Sequence, residues 1–232
     1  MPPVDKEAVC RHWDQVAETY ARRKDENRDY FDALKALFCA ALPQAGSWRI
    51  LEVGCGNGDV LGSLAPRFGL GVDLSEGMIA VARRRHAGCR NLQFQVGDAE
   101  DLSEADMYDA VILPDLLEHV PNWRRVLSQG AACLRPGGRL ALSTPNPLWA
   151  PALYVLERTG LKMPEGPHRF VGLKAIVRHL SQLGLVNVRA ANHLLIPKNV
   201  GAFTAPLNSA FQQVPLLKHL GVIQFAAASR PK

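Results

Sequence analysis

Three glycines at alternate positions mark the stretch of this sequence whose residue types could do chemistry. Gly54, Gly56 and Gly58 follow the short apolar run 49–53 and precede an amphipathic segment, which predicts a buried strand, a tight turn and a helix start. Glycine has no side chain, so the backbone can turn sharply here and a ligand can lie against it. The N–H groups that begin the following helix point toward such a ligand.

Two carboxylates beside these glycines restrict the kind of ligand. Glu52 and Asp59 flank the turn, and close to a diphosphate both would add like-charge repulsion. The spacing is also G-x-G-x-G rather than the G-x-G-x-x-G of dinucleotide sites. The turn therefore favours a cationic or zwitterionic ligand over a dinucleotide.

A third acid predicts a contact with a ribose. Asp73 lies at the end of the next short apolar run, 70–74. A carboxylate at the end of a neighbouring parallel strand can accept hydrogen bonds from both ribose hydroxyls. Together these residues favour a nucleoside ligand without phosphates.

The elements that must position these residues alternate along the chain. Strand-like runs alternate with amphipathic stretches from residue 49 onward, which predicts parallel strands with helices on both faces. The predicted strands are 49–54, 70–74, 92–98, 108–114, 138–144, 186–196 and 222–228, and the predicted helices are 58–67, 76–87, 122–134 and 171–183. Ligands of such sheets bind beyond the carboxyl ends of the strands, where the glycines and acids lie.

The first part of the chain is predicted to be helical. Over residues 4–42 apolar side chains recur every three to four positions, as they do on one face of an amphipathic helix. The charged stretch 22–29 interrupts this pattern. We expect a hinge or an exposed turn there, between two helices.

Composition indicates an ordinary globular chain. Of 232 residues, 47% are hydrophobic and 21% charged, as in soluble domains with a full core. The polar start and the lack of a long apolar window predict neither a signal peptide nor a membrane span. Five cysteines without a C-x-x-C pair predict reduced thiols in the cytoplasm rather than zinc or disulfides. The net charge of +5 comes from scattered residues, so no nucleic-acid partner is predicted.

Four motifs, in order, resemble those of class I S-adenosylmethionine-dependent methyltransferases. They lie at 51–59, 71–75, 97–99 and 134–138, within a likeness that covers about residues 46–146. The resemblance implies a Rossmann-like, doubly wound α/β sheet of seven strands, mostly parallel with an antiparallel edge strand, and helical lid elements. It also implies a helical lid at 1–45 and a methyltransferase domain at 46–232, with substrate-side inserts at 147–170 and 198–218.

The resemblance implies S-adenosylmethionine as the cofactor and S-adenosylhomocysteine as its product. Tyr20 and a following arginine, Arg22, would cover the methionine end, whereas Asp98 and the backbone of Ala99 would meet adenine. The full predicted cofactor site consists of Tyr20, Arg22, Glu52, Gly54, Gly56, Asp73, Leu74, Met78, Asp98, Ala99 and Leu113. From residue type alone, a helix cap is the alternative role for Asp98, and a core position is the alternative for Met78.

Two histidines are the candidate catalytic residues. His119 lies in an L-E-H-V run that resembles a motif of methyltransferases acting on small molecules, and an imidazole suits the removal of a hydroxyl proton near neutral pH. A structural hydrogen bond is its alternative role. His168, after an apolar stretch, is the second candidate. A divalent ion held by Asp115, Glu118 and His119 is an alternative, and the main prediction contains no metal.

The stretch 143–168 looks like the insert of ubiquinone-biosynthesis O-methyltransferases, although 167–170 departs from that pattern. This likeness implies O-methylation of a phenolic or catecholic hydroxyl on a small, lipophilic or quinone-like acceptor. It also implies peripheral membrane contact through 147–164. The alternatives are N- or C-methylation in specialised metabolism, RNA binding, and cofactor binding without catalysis. An apolar helix that covers a pocket is the simpler explanation of the stretch.

Overall fold

The computed structural model describes residues 4–103, 105–159, 166–196, 208 and 217–232. The strands are β1 (Arg49–Val53), β2 (Phe68–Asp73), β3 (Leu92–Val96), β4 (Tyr108–Leu113), β5 (Leu134–Pro145), β6 (Val186–His193) and β7 (Ile223–Ser229). The described helices are α1 (Lys6–Glu26), α2 (Arg28–Ala41), α3 (Asp59–Leu64), α4 (Glu76–Arg85), α5 (Trp123–Cys133), α6 (Ala150–Arg158) and α7 (Leu173–Gln182). Short 3₁₀ turns separate some of them.

The strands form one sheet in the order β3-β2-β1-β4-β5-β7-β6. Strands β1 to β5 pair in parallel, and β7 runs antiparallel to both of its neighbours, β5 and β6. The predicted Rossmann-like sheet, mostly parallel with an antiparallel pair at its edge, is confirmed. The strand order reverses between β1 and β4, so their carboxyl ends border the crevice in which ligands of such sheets bind.

Alternate residues of the central strands build a core on each face of the sheet. Leu51 of β1 and Leu113 of β4 lie in the cluster that α5 and α7 cover, whereas Ile50 and Ile112 lie in the cluster beneath α2, α3 and α4. Successive side chains of a strand point to opposite faces, and both faces are buried in a parallel sheet. This explains why these strands are apolar at nearly every position.

All predicted strands and the four predicted helices after residue 49 occur, with boundaries that differ by up to four residues. Helix α3 ends at Leu64 because Ala65 takes a left-handed conformation (φ 43°) as its C-cap. Strand β5 starts earlier than predicted because Leu134 pairs with Tyr108. The register then shifts before Arg139 pairs with Ala110.

The break between α1 and α2 is shorter than predicted. Helix α1 continues to Glu26, through most of the charged stretch 22–29. Asn27, with φ −119° and ψ 33°, interrupts the helix, and α2 begins at Arg28. The expected hinge is therefore a one-residue break.

Helix α1 is fastened to the start of α4. Asp14 accepts hydrogen bonds from Ser75 Oγ at 2.6 Å and from the backbone N–H of Gly77 at 3.0 Å, and Ala17 is buried against Met78. Burial opposes the charged form of Asp14, but its hydrogen bonds outweigh burial and hold its pKa below the ordinary value. The helix thus lies across the carboxyl ends of the strands.

The predicted inserts are described only in part. Helix α6 belongs to the first insert, while 160–165 and most of 198–218 lie outside the described residues. Among the described helices, none has the length and apolar character that a membrane span needs. The division into a lid at 1–45 and a domain at 46–232 stays a prediction.

Candidate active site

A cavity of about 480 Å³ opens beyond the carboxyl ends of the central strands, and α1 and α2 cover it. It collects most of the predicted site from widely separated parts of the chain. The predicted residues that line it are Tyr20, Glu52, Gly54, Gly56, Asp73, Leu74, Met78, Asp98, Ala99 and His119. Tertiary structure therefore brings the glycine turn, the acids and one candidate base into a single space.

Three predicted site residues do not line this cavity. Arg22 is exposed, because it lies two positions after Tyr20 and a helix turns by about 200° over two positions. Leu113 lies in the core under α5 and α7. His168 is half-buried, with its ring centroid 6.2 Å from that of His119. Ligand contacts of these three residues stay predictions.

The glycine turn needs glycine for two different reasons. Gly54 and Gly56 have positive φ angles of 72° and 51°, which side chains disfavour. A Cβ on Gly54 would also lie 2.6 Å from Leu116, whereas a Cβ on Gly56 would meet nothing nearer than Tyr20 at 3.7 Å. The cavity side of Gly56 is therefore open for a ligand to approach the backbone.

Two carboxylates lie beside the turn, Glu52 buried and Asp73 half-buried. Glu52 accepts a 2.9 Å hydrogen bond from the backbone N–H of Leu61, and burial raises its pKa to about 8. Asp73 accepts from the N–H groups of Gly56 at 2.8 Å and Ser75 at 3.0 Å, and burial raises its pKa as well. A cationic ligand would favour the ionised form of both acids.

The predicted adenine-binding acid contacts the lid. Lys6 of α1 places Nζ 2.6 Å from Asp98, whose other oxygen accepts from the backbone N–H of Glu100 at 2.9 Å. Burial opposes the charge of Asp98, but the hydrogen bonds from Lys6 and Glu100, together with the positive charge of Lys6, outweigh burial and hold the Asp98 pKa below its ordinary value. Asp98 thus both orders its own turn and anchors the first turn of α1.

Side chains of α1 and α2 form one wall of the cavity, and most of this wall was missed by sequence reasoning. They recur at alternating spacings of four and three residues: Lys6, Cys10, Trp13, Tyr20, Lys24, Asn27, Phe31 and Leu34, with buried Ala17 in the remaining place. Of these, only Tyr20 was predicted in the site. The helical period that predicts the wall runs unbroken through the charged stretch, where we expected a hinge.

Lys24 brings a largely buried cation to the glycine turn. Its Nζ lies 3.2 Å from the amide oxygen of Asn57 and 3.9 Å from Asp59. The rings of Tyr20 and Phe31 flank it, with centroids at 4.9 and 4.7 Å. Burial lowers the pKa of Lys24.

Two further carboxylates lie at the end of β4. Asp115 accepts hydrogen bonds from Tyr30 Oη at 2.8 Å and Ser143 Oγ at 2.6 Å. Glu118 accepts from Thr144 Oγ1 at 2.9 Å. Within the described part of the chain, no group of three or more His, Cys, Asp or Glu side chains is arranged to hold a metal ion.

His119 is held by the lid and by the loop before α7. Its ring meets that of Trp13 edge-on, with centroids 5.4 Å apart, and its Nδ1 lies 3.4 Å from the carbonyl oxygen of Pro167. A carbonyl only accepts hydrogen bonds, so this contact favours the tautomer with the proton on Nδ1. Nε2 is then the nitrogen that can accept a proton.

Comparison with known proteins agrees with this geometry. Residues 50–138 match the family model described as a methyltransferase domain. The chain is 34% identical over 175 residues to a ubiquinone biosynthesis O-methyltransferase of Aeromonas salmonicida, a match that covers 71% of this chain and 70% of that protein. The chain belongs to the class I S-adenosylmethionine-dependent methyltransferases.

Other relatives are similar to this methyltransferase over a smaller part of the sequence. A protein of the same name from Coxiella burnetii is 36% identical over 130 residues, and the match covers 53% of this chain and 55% of that relative. The chain thus spans about half the length of that relative.

Solved methyltransferase structures share the fold. The methyltransferase of Haloferax volcanii, solved in complex with the Trm112 activator, has a TM-score of 0.72 at 18% identity over 95% of this chain and 98% of that one. A methyltransferase of Thermotoga maritima has a TM-score of 0.69 at 18% identity, over 94% and 98% of the two chains.

The cavity of the methyltransferase suits S-adenosylmethionine chemically. Gly56 leaves room beside its backbone, and Glu52 and Asp73 would meet the cationic and hydroxyl groups of the cofactor. Asp98 would hold the adenine end and Lys24 lies at the glycine turn. When bound, the cofactor supplies a methyl group activated by the positive charge of its sulfonium.

Proposed function

We propose that this methyltransferase methylates a phenolic or catecholic hydroxyl of a small, lipophilic acceptor. The observation that carries the proposal is the position of His119. It lines the same cavity as the glycine turn, and its Nδ1 lies 3.4 Å from the carbonyl oxygen of Pro167, a contact that favours the proton on Nδ1 and makes Nε2 the basic nitrogen of the ring. The relatives named ubiquinone biosynthesis O-methyltransferase support O-methylation.

The main contribution of the chain to catalysis is to align the acceptor with the activated methyl group. Holding the acceptor oxygen in line with the activated methyl group supplies roughly 7 to 11 kcal/mol in well-oriented reactions. The acceptor oxygen gains the methyl group, the cofactor leaves as S-adenosylhomocysteine, and the oxygen gives up its proton to His119. Such a base adds about 100-fold to 10,000-fold.

Part of the cavity lining is apolar, which supports a lipophilic acceptor. Phe31 and Leu34 of α2 lie on it together with Leu153 and Leu156 of α6. A wall of this kind stabilises an alkyl or prenyl chain by about 25 cal/mol per Å² of apolar surface buried.

Helix α6 also presents apolar side chains outward. Tyr154 and Val155 are each more than half exposed, as is Leu148 before the helix. We include peripheral membrane contact through 147–164 in the proposal, because such a face suits an interface where a lipophilic acceptor resides. Residues 160–164 of this range lie outside the described structure.

The test is release of S-adenosylhomocysteine with a panel of catechols, phenols and amines, short-tailed and prenylated, each with and without a chelator. We expect turnover on catechols or phenols that increases with tail length. His119→Ala should lower turnover by about 100-fold to 10,000-fold, with cofactor binding kept. The matched control is His179→Ala, because His179 lies on α7 outside the cavity lining.

Three results would contradict parts of this proposal. Turnover on amines alone would replace O-methylation by N-methylation. Equal turnover of the His119→Ala variant and the wild type would show that His119 is not the base. Loss of turnover with chelator, restored by magnesium, would replace the base by a metal ion at the end of β4.

A further inference from the structure

Lys24 is a largely buried cation that donates no hydrogen bond to a carboxylate of the described side chains. Its side chain is 12% exposed, and its hydrogen-bond partner Asn57 is a neutral amide at 3.2 Å. Asp59 lies at 3.9 Å from Nζ, beyond hydrogen-bonding distance, and Arg85 contacts Asp59 more closely, at 2.6 Å. Among the described side chains, no carboxylate hydrogen-bonds to Lys24.

Such a cation is a ready partner for an anionic ligand group. Moving an ammonium group from water into a protein costs free energy unless an opposite charge and hydrogen bonds compensate. Burial accordingly lowers the pKa of Lys24, against the attraction of Asp59 and Glu52. A carboxylate placed beside Nζ would supply the missing charge-assisted hydrogen bond.

The helix presents Lys24 to the ligand and turns Arg22 away. Lys24 follows Tyr20 by four residues, so both side chains lie on the face of α1 that covers the cavity. The rings of Tyr20 and Phe31 pack against the ammonium group and hold it near the glycine turn. Arg22 is exposed.

The two lysines of the described cavity lining serve different ends of the cavity. Lys6 and Lys24 are separated by 18 residues of one helix, or about 27 Å. Lys6 pairs with Asp98 at 2.6 Å, the acid predicted to bind adenine. Lys24 lies beside Asn57, at the end of the cavity where the methionine moiety is expected.

We propose that Lys24 binds the α-carboxylate of the methionine moiety of the cofactor. This inference rests on the proposed function, because it requires S-adenosylmethionine as the ligand. The resemblance to small-molecule methyltransferases implied that an arginine covers this end of the cofactor. In this chain Lys24 takes that role, four residues after the tyrosine.

The experiment compares two ligands by calorimetry: S-adenosylhomocysteine and its analogue without the α-carboxylate. The wild type should prefer the carboxylate-bearing ligand by about 10-fold to 100-fold, the range for a hydrogen bond between charged groups. Lys24→Met should abolish this preference, because it should weaken the binding of S-adenosylhomocysteine and leave the affinity for the analogue unchanged. Lys24→Arg should keep most of the preference for the carboxylate-bearing ligand, and it provides the test if the Lys24→Met variant does not fold.

The control is Lys174→Met, because Lys174 is an exposed lysine on α7. It should leave both affinities within about two-fold, since a surface substitution has little effect. Equal weakening of both ligands by Lys24→Met would indicate a merely structural role and overturn the inference. Loss of the preference in Arg22→Met instead of Lys24→Met would also overturn it. If the wild type bound neither ligand, the proposed function itself would fail.

Discussion

The hydroxyl of Tyr30 donates a 2.8 Å hydrogen bond to Asp115 and so joins α2 to the end of β4 at the cavity. Asp115 has a positive φ of 45°, a conformation that costs free energy in a residue other than glycine. The hydroxyls of Tyr30 and Ser143 each donate to one of its carboxylate oxygens. This contact connects the helix that covers the cavity with the strand that carries the acceptor-side residues.

Removing the Tyr30 hydroxyl should loosen this connection. We expect Tyr30→Phe to lower the free energy of unfolding by about 1 kcal/mol, the usual value of one hydrogen bond, and to raise KM for the acceptor. Denaturant titration and steady-state kinetics measure the two effects. Tyr154→Phe is the control, because Tyr154 is 59% exposed on α6. Equal effects of both substitutions on KM would show that the Tyr30 contact does not shape the acceptor site.

Alanine substitutions at two glycines with left-handed backbones should distinguish the effect of backbone strain from the effect of a lost ligand contact. Gly56 faces the cavity at φ 51°, whereas Gly184 has φ 76° with nothing within 4 Å of an added Cβ. Alanine at either position should cost about 1 to 2 kcal/mol of stability. We expect only Gly56→Ala to weaken S-adenosylhomocysteine binding, by at least about tenfold. Calorimetry measures this, and unchanged binding by Gly56→Ala would place the cofactor away from the turn.

Glu52 should make stability depend on pH. Burial raises its pKa from 4.5 to about 8, so between these values the folded protein holds a proton that the unfolded chain has released. The unfolded state binds fewer protons, and this contribution to the free energy of unfolding therefore falls as pH rises.

Glu52→Gln removes the titrating group. The stability of the wild type relative to this variant should decline from pH 5 to pH 8, by up to about 1.4 kcal/mol per pH unit. Urea titrations at several pH values measure the slope. Glu7→Gln, at an exposed position of α1, should follow the wild type. Parallel profiles of the wild type and Glu52→Gln would contradict the prediction.

Asp14 should control how firmly α1 covers the cavity. Asp14→Asn weakens its hydrogen bonds to Ser75 and Gly77, so hydrogen exchange in α1 should become faster and the cofactor should dissociate faster. The pKa of Asp14 is lowered, so in the wild type the same loosening should appear as pH falls below the ordinary value of 3.8. If hydrogen exchange in α1 were no faster in Asp14→Asn than in the wild type, contacts other than those of Asp14 would hold the helix.

The two sides of α6 should respond to different tests. Leu153 lines the cavity, whereas Val155 is 57% exposed. Leu153→Ala should raise KM for a prenylated acceptor several-fold, since about 0.8 kcal/mol is lost per buried methylene. Val155→Ala should leave this KM unchanged and reduce partition onto phospholipid vesicles. Sedimentation with vesicles measures the membrane contact, and kinetics without vesicles measure the KM for the acceptor. If Leu153→Ala reduced vesicle binding and Val155→Ala raised KM instead, the assignment of the two faces of α6 would be reversed.

The sequence determined the sheet and the central features of the site because these depend on local chemistry. Alternate glycines at 54, 56 and 58 permit the backbone of a strand-to-helix turn, and the three acids lie at or just after the carboxyl ends of strands that apolar residues predict. The carboxyl ends of neighbouring parallel strands then come together. Glu52, Asp73 and Asp98 were predicted in this way, and all three line one cavity.

Only the tertiary structure decided which charged residue of the first helices faces the cavity. Helix α1 extends through most of the predicted hinge, so helical phase turns Lys24 inward and leaves Arg22 exposed. Leu113 was assigned to the cofactor, yet strand alternation directs it into the core under α5 and α7. The pairing of Lys6 with Asp98 joins residues 92 positions apart. Such contacts depend on how elements pack over the sheet, and no local pattern in the chain specifies them.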